Sequence, residues 1–434
     1  MVLAAVPPSP VGAHQMLVFL LQLAVLLGTA FALGRLAARF RMPAVVGELA
    51  AGVLLGPSLL APALPGLSGW LFPTDPGQIH LLDAVGQFGV LLLVGFTGMH
   101  IDLGLARKQG RAALWVASGG LLVPLGLGFG AGFLIPASMV GDGAARPTFA
   151  LFLGVAVCVS AIPVIAKVLL EMNLLHRDIG QLVVTAAAVD DIVGWSLLAV
   201  VSGMATAGLT TGHVLLSVGS LVAVALIALL VGRPVVKRAL ALANRSTEPG
   251  VTVAVVVLLI VLCAAGTHAL ELEPILGAFL CGLLISAAGG VDREKLNPLR
   301  VFVMSVLAPI FFATAGLRMD LTALRRPEVL GGAFLVLVLA ITGKFVGAYL
   351  GARMGRLSHW QGLALGAGLN ARGVIGVIVA MVGLRVGVLT TATYTIVVLV
   401  AVVTSLMAPP TLRYAVRRIA VTSEEKDREK VFSG

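Results

Sequence analysis

Apolar runs of about 20 residues follow one another along nearly the whole chain, separated by short stretches of glycine, proline and charge. At 1.5 Å per residue such a run crosses a hydrocarbon core of about 30 Å. They read as about thirteen spans, near 16–34, 43–60, 80–99, 112–135, 147–169, 178–203, 213–232, 250–267, 273–287, 298–317, 328–352, 362–383 and 389–408. The runs are too long and continuous for barrel strands, and backbone in lipid has to satisfy its own hydrogen bonds, so all are predicted helical. The expectation is an all-α polytopic membrane protein: a short segment over 1–15, a membrane domain over 16–410, and a short tail over 411–434.

Composition agrees, with 59% hydrophobic and 12% charged residues, far from the roughly 25% charged of a soluble domain. The net charge of +10 changes the picture only through its distribution. Arg35, Arg39 and Arg41, then Arg107, Lys108 and Arg111, then Arg233, Lys237, Arg238 and Arg245, then Arg293, Lys295 and Arg300, then Arg353 and Arg356 all follow odd-numbered spans. Basic residues in alternate loops report topology rather than nucleic-acid binding, and place the N-terminus outside and the C-terminal tail in the cytoplasm. The loop holding Arg318, Arg325 and Arg326 breaks the rule, with Asp320 and Glu328 only partly balancing it. Met1 to His14 lacks the basic region of a cleaved signal. Cys158, Cys263 and Cys281 lie inside apolar runs at no metal-ligand spacing and read as small buried hydrophobes.

An odd count allows two six-span units of opposite orientation joined by a linker span, at 213–232, the inverted-repeat plan of many secondary transporters. The fifth span is interrupted by Ser160, Ala161, Ile162 and Pro163, and its counterpart seven spans later by Gly366, Gly368, Asn370 and Gly373. Broken helices at matching positions of two halves point to a binding site at the bilayer midplane.

Charges inside the spans are the second pointer, since each one at a helix centre costs about 2.5–3.5 kcal/mol on insertion scales. Asp190 and Asp191 fall about twelve residues into the sixth span. Neighbours on a helix are about 100° apart, so both edge one cavity, and two carboxylates there repel until one holds a proton or a cation. That is the requirement of a proton-coupled ion site. Lys344, deep in the eleventh span, is the natural counter-ion for one of them, and Arg372, at the second break, either pairs charge or ties down unwound carbonyls. The alternative is a purely structural salt-bridge network of both aspartates with Lys344 and Arg372. Ser160 offers a hydroxyl oxygen among carbonyls freed by Pro163, and Asn370 is a candidate ligand at the second break. Glu48, Asp83, Lys167, Glu171, His100 and His176 lie near span ends and read as interfacial.

These motifs carry a resemblance. The run "GVAVCVSAIPVIAKVLLEMNLLHRDIGQLVVTAAAVDDIVGWSLLAV", with "GELAAGVLLGPSLL", "ILGAFLCGLLIS", "LAPIFFATAGLRMDL" and "GLNARGVIGVIVA", is similar to the second monovalent cation:proton antiporter family of sodium/proton antiporters, potassium efflux systems and plant exchangers. The resemblance spans about residues 16–410. It implies crossing broken helices, a homodimer, and elevator-like movement of a core (about 112–203 and 328–408) against a scaffold (about 16–99 and 250–317). It also implies that Asp191 binds the cation, that Asp190 marks electrogenic exchange, and that Lys344 pairs with the site. Val374 stands where many bacterial members have glutamate, and Val159 where threonine is common, so the resemblance leaves Na⁺ and K⁺ open.

The function expected is exchange of protons for Na⁺ or K⁺ with no cofactor, since no Walker or dinucleotide fingerprint follows a strand and the nucleotide-sensing domain of the gated potassium systems is absent from this sequence. A cation channel using the same carboxylates, or a proton-driven exporter of an organic cation, are the competing readings. The second would need an aromatic-lined cavity, which 6% aromatic residues make less attractive.

Overall fold

The computed structural model describes residues 12–40, 42–73, 75–99, 110–142, 144–162, 165, 168–169, 172, 174, 177–207, 211–246, 248–270, 272–289, 293–422 and 425. Pro163, Lys167, Glu171, His100, His176, Arg41, Arg107 and Lys108 lie outside the described residues. The described chain is helical, apart from a single antiparallel bridge between Val140 and Leu389.

In chain order the main helices are α1 (Ala13–Arg39), α2 (Ala44–Leu55), α3 (Pro76–Met99), α4 (Gly110–Leu134), α5 (Arg146–Cys158), α6 (Asp178–Ala207), α7 (Thr211–Ile227) and α8 (Arg233–Asn244). They continue as α9 (Pro249–Ala269), α10 (Pro274–Ala287), α11 (Arg293–Phe302), α12 (Ala308–Leu317), α13 (Pro327–Met354), α14 (His359–Leu369), α15 (Val374–Arg385) and α16 (Thr391–Val416). Five-residue π-helical turns at Ala228–Gly232 and Val303–Leu307 join α7 to α8 and α11 to α12 without a break in direction.

Ten helices or fused helices among the described residues are long and apolar enough to cross a bilayer. The expected thirteen is reached only by also counting as crossings α10 and the two interrupted segments, which are shorter than a span. Large apolar side chains that point outward, such as Leu134 at 71%, Leu230 at 73% and Phe334 at 69% exposed, give the surface a bilayer solvates and water does not.

The helices pack in two groups. One holds α4, α5, α6, α13, α14, α15 and α16; the other holds α1, α2, α3, α9, α10 and α12. Packing between them is sparse, chiefly α6 against α10 and α12 against α15. Lipid supplies no hydrophobic drive for helices to associate, so the tightest pairs meet through glycine. A Cβ at Gly119 of α4 would lie 2.2 Å from the Gly347 carbonyl of α13, and one at Gly347 would lie 2.1 Å from the Gly119 carbonyl.

The charge-rule exception at Arg318 has a local answer. Its guanidinium pairs with the Asp83 carboxylate of α3, far away in sequence. Asp320 is occupied instead by capping, accepting from the Thr322 N–H at 2.9 Å.

Candidate ion-binding site at two broken helices

The site is built where two helices stop inside the membrane domain. α5 ends at Cys158 and α14 at Leu369, so both leave carbonyls that a continuous helix would have bonded. The chain at the second break turns at Gly373, whose φ of +147° is a conformation that side chains other than hydrogen rarely adopt. The two breaks cross and bond to each other: the Ala161 N–H donates to the Ala371 carbonyl at 3.1 Å.

The freed carbonyls find side-chain donors. Lys344 Nζ donates to the Cys158 carbonyl at 2.6 Å, and the Ser405 hydroxyl lies 2.5 Å from the Arg372 carbonyl. The Ser160 hydroxyl lies 2.8 Å from the Leu369 carbonyl and 2.8 Å from Asp190 Oδ2. One hydroxyl has one proton, so these two acceptors compete for it.

Asp190 is the partner of Lys344. Nζ donates to Oδ2 at 2.6 Å, and neither side chain has any exposure. The sequence left open which aspartate the lysine takes, because both lie within a helical turn; only the packing of α13 against α5 and α6 decides it. A buried ion pair is weak evidence of net stabilisation, since desolvating both charges offsets most of their attraction.

Asp191 is the contrast. It is 0% exposed, and both carboxylate oxygens lack a hydrogen-bond partner among the described residues. Asp190 Oδ1 and both polar atoms of the Asn370 side chain, 1% exposed, are likewise unpartnered. Buried polar groups are satisfied in the great majority of cases. The carboxylate oxygens of Asp191, Asp190 Oδ1 and the Asn370 side chain are therefore the candidate atoms for holding a proton or a hard cation.

Arg372 departs from expectation. It makes no ion pair among the described residues; its guanidinium donates to the Ala340 carbonyl of α13 at 2.9 Å, while Nε and Nη1 have no partner. Of the two basic residues expected to balance charge, only Lys344 makes a direct ion pair with an aspartate among the described residues. Unwound carbonyls are met instead by Lys344 from α13, by Ser405 from α16 and by Ser160 from the first break itself.

Two features were not found by sequence reasoning. Ser405 gave only the signal of a hydroxyl in an apolar run, which usually means a bond back to its own helix; the Ala401 carbonyl lies 2.7 Å away and competes with that of Arg372 for its one proton. Glu273, just before α10, is 7% exposed and ties the two helix groups together, accepting from Arg385 of α15 at 2.5 Å and from Ser202 of α6 at 2.5 Å. Asp83, Arg318 and Arg385 line a cleft between the groups with Ile378 and Phe311. The three cysteines form no disulfide, with Cys158 and Cys281 buried and Cys263 partly so.

Comparison with known proteins gives the lineage. A family profile described as "Sodium/hydrogen exchanger, transmembrane" matches residues 23–418. Cation/H(+) antiporter 17 of Arabidopsis thaliana is 30% identical over 404 residues, covering 92% of this chain and 48% of that protein. The chain thus spans about half the length of the plant relatives. The Na(+)/H(+) antiporter NhaS4 of Synechocystis is 30% identical over 402 residues, covering 92% of this chain and 97% of that protein. The structure of the sodium proton antiporter MjNhaP1 from Methanocaldococcus jannaschii superimposes with a TM-score of 0.70 at 15% identity, over 93% of this chain and 99% of that one, a likeness of fold. All-helical, polytopic, and matched to one profile over nearly its whole length, the chain belongs to the sodium/hydrogen exchanger family of transmembrane proteins.

Proposed function

We propose that the chain is a secondary antiporter that exchanges protons for a monovalent cation, Na⁺ or K⁺, with Asp191 as the cation- and proton-binding group. The observation that carries this is the Asp191 carboxylate, buried and unpartnered beside an Asp190 already held by Lys344 and Ser160. A carboxylate in that position accepts a proton or a cation and has no protein hydrogen bond to break first. The unpartnered Asp190 Oδ1 and Asn370 side chain supply further oxygens of the kind alkali cations prefer.

In this reading a proton arriving from outside displaces the cation from Asp191, the α4–α6 and α13–α16 group moves as the core against the other group as scaffold, and a cytoplasmic cation takes the proton's place. Lys344 holds Asp190 Oδ2 and the Cys158 carbonyl, so the floor of the site stays in place while Asp191 changes occupant. A proton entering across 100 mV contributes about 2.3 kcal/mol, which drives cation efflux if more protons than cations move per cycle. The sparse packing between the helix groups supports movement of one against the other. A homodimer in the cytoplasmic membrane completes the proposal, with its N-terminus outside and its C-terminus in the cytoplasm, an orientation that the alternation of loop arginines supports. α7 serves as the linker between the halves.

The test is cation-induced pH change in proteoliposomes holding the purified chain. Na⁺ or K⁺ added outside should release trapped protons, and Asp191→Asn should abolish the response while the protein still inserts and elutes as the wild type. Full exchange by Asp191→Asn would sink the proposal.

A further inference from the structure

At the end of α16, where the chain leaves the membrane domain, a cavity of about 410 Å³ opens. It lies within the roughly 300–1,000 Å³ of small-ligand sites. Its polar wall is made by Arg177, Arg413 and Arg417, with no acidic residue among the described lining; its apolar wall is made by residues including Leu174, Val416 and Ile419.

The three arginines are not equivalent. Arg177, 7% exposed, is already used: its guanidinium donates to the Ile419 and Ala420 carbonyls at 3.1 and 2.9 Å and pairs with Glu425 at 3.5 Å. It holds the segment after α16 in place as one wall. Arg413 and Arg417 are four residues apart, hence on one helical face, and neither has a carboxylate partner among the described residues. Two guanidiniums with no carboxylate partner among the described residues therefore face a chamber that is half apolar.

The depth of this chamber is marked independently. The next residue, Arg418, stacks on the rings of Trp360 and Tyr414, 4.3 and 4.4 Å from their centroids. Tyr414 is 59% exposed. An arginine stacked on a tryptophan and an outward tyrosine is the side-chain pattern of a headgroup region.

We propose that this chamber binds the phosphate of an anionic glycerophospholipid from the adjoining leaflet, with Arg413 and Arg417 as its ligands. Guanidinium presents paired N–H donors matched to phosphate oxygens, and basic pockets between membrane helices take anionic headgroups. The apolar wall favours a lipid over free phosphate, which has nothing to place against Leu174, Val416 and Ile419. Bound there, the lipid bridges the start of α6, the helix of the two aspartates, to the end of α16. The inference stands on the cavity and its arginines, independently of the exchange activity.

The experiment measures the melting temperature of the purified full chain in neutral detergent, alone and with phosphatidylglycerol, phosphatidylcholine or inorganic phosphate. Phosphatidylglycerol should raise it by several degrees while phosphatidylcholine and millimolar inorganic phosphate leave it unchanged. The R413Q/R417Q double variant should melt as the wild type without lipid and lose most of the rise; R413K/R417K should recover part of it, since lysine keeps the charge and loses the fork. An equal rise with inorganic phosphate would overturn the lipid assignment, and an undiminished rise in R413Q/R417Q, or none in the wild type, would overturn the site. Should R413Q/R417Q fail to fold, R413K/R417K against wild type decides on the same criterion.

Discussion

Lys344→Met tests the centre of the site. Its Nζ makes two bonds of 2.6 Å, to Asp190 Oδ2 and to the Cys158 carbonyl, with no solvent at either. At an effective dielectric of about 20 the gross attraction of the ion pair is about 6 kcal/mol, but desolvation of both charges offsets most of it, so the net stabilisation is small. Removing one partner is a different matter. An uncompensated carboxylate then sits in a dry site, at about 3–5 kcal/mol, relieved only in part by the Ser160 hydroxyl at 2.8 Å. The orphaned Cys158 carbonyl adds about 1–3 kcal/mol.

A double-mutant cycle separates these terms, because the carbonyl is lost equally in Lys344→Met and in Lys344→Met/Asp190→Asn and so cancels. The double variant should be more stable than Lys344→Met alone, with a coupling of at least about 2 kcal/mol. The assay is reversible unfolding in mixed detergent–SDS micelles near pH 8. Repeated in acid, where the carboxylate of Lys344→Met takes a proton instead of standing alone, the coupling should shrink. Effects that add to within about 0.5 kcal/mol at pH 8 would refute the pairing of Lys344 with Asp190.

Gly347→Ala should destabilise by about 1–3 kcal/mol or abolish folding, because its Cβ would meet the Gly119 carbonyl at 2.1 Å, whereas Gly331→Ala on the same helix, with nothing within 4 Å, should be neutral or gain up to about 1 kcal/mol; thermal melts of the pair check this. Glu273→Gln removes the charge that holds Arg385, and should speed exchange if the tie between helix groups opens in each cycle; an unchanged turnover with unchanged stability would mean the tie does not open. Glu425 is buried, which alone pushes its carboxyl up, but the Thr422 and Asp178 N–H groups and Arg177 outweigh this and hold it below the usual range. Its stabilisation is therefore present above roughly pH 4.3, the ordinary glutamate value, and lost as pH falls through the lower folded value. Glu425→Gln should then raise hydrogen exchange at the start of α6 about tenfold at pH 7, with the difference from wild type vanishing in strong acid.

Much of this architecture is dictated locally. A 20-residue apolar run has no stable state in lipid other than a helix, so membrane class and span positions follow from hydropathy alone. The breaks near Ser160 and Asn370 were legible because glycine and proline act on their own backbone, and Asp190 and Asp191 stood out because isolated charge is expensive in hydrocarbon wherever it sits. The count of crossings was less legible, since α5, α10, α14 and α15 are each shorter than a span and only their packing shows whether they cross in halves. Partnership belongs wholly to tertiary structure. Nothing in the linear order says that Lys344 takes Asp190 and leaves Asp191 unpartnered, that Arg372 reaches Ala340 rather than a carboxylate, that Arg318 finds Asp83, or that Glu273 joins two helix groups. Those choices depend on which face of one helix meets which turn of another. A helix displaced by one residue turns its side chains by about 100°, enough to exchange a bonded aspartate for its neighbour.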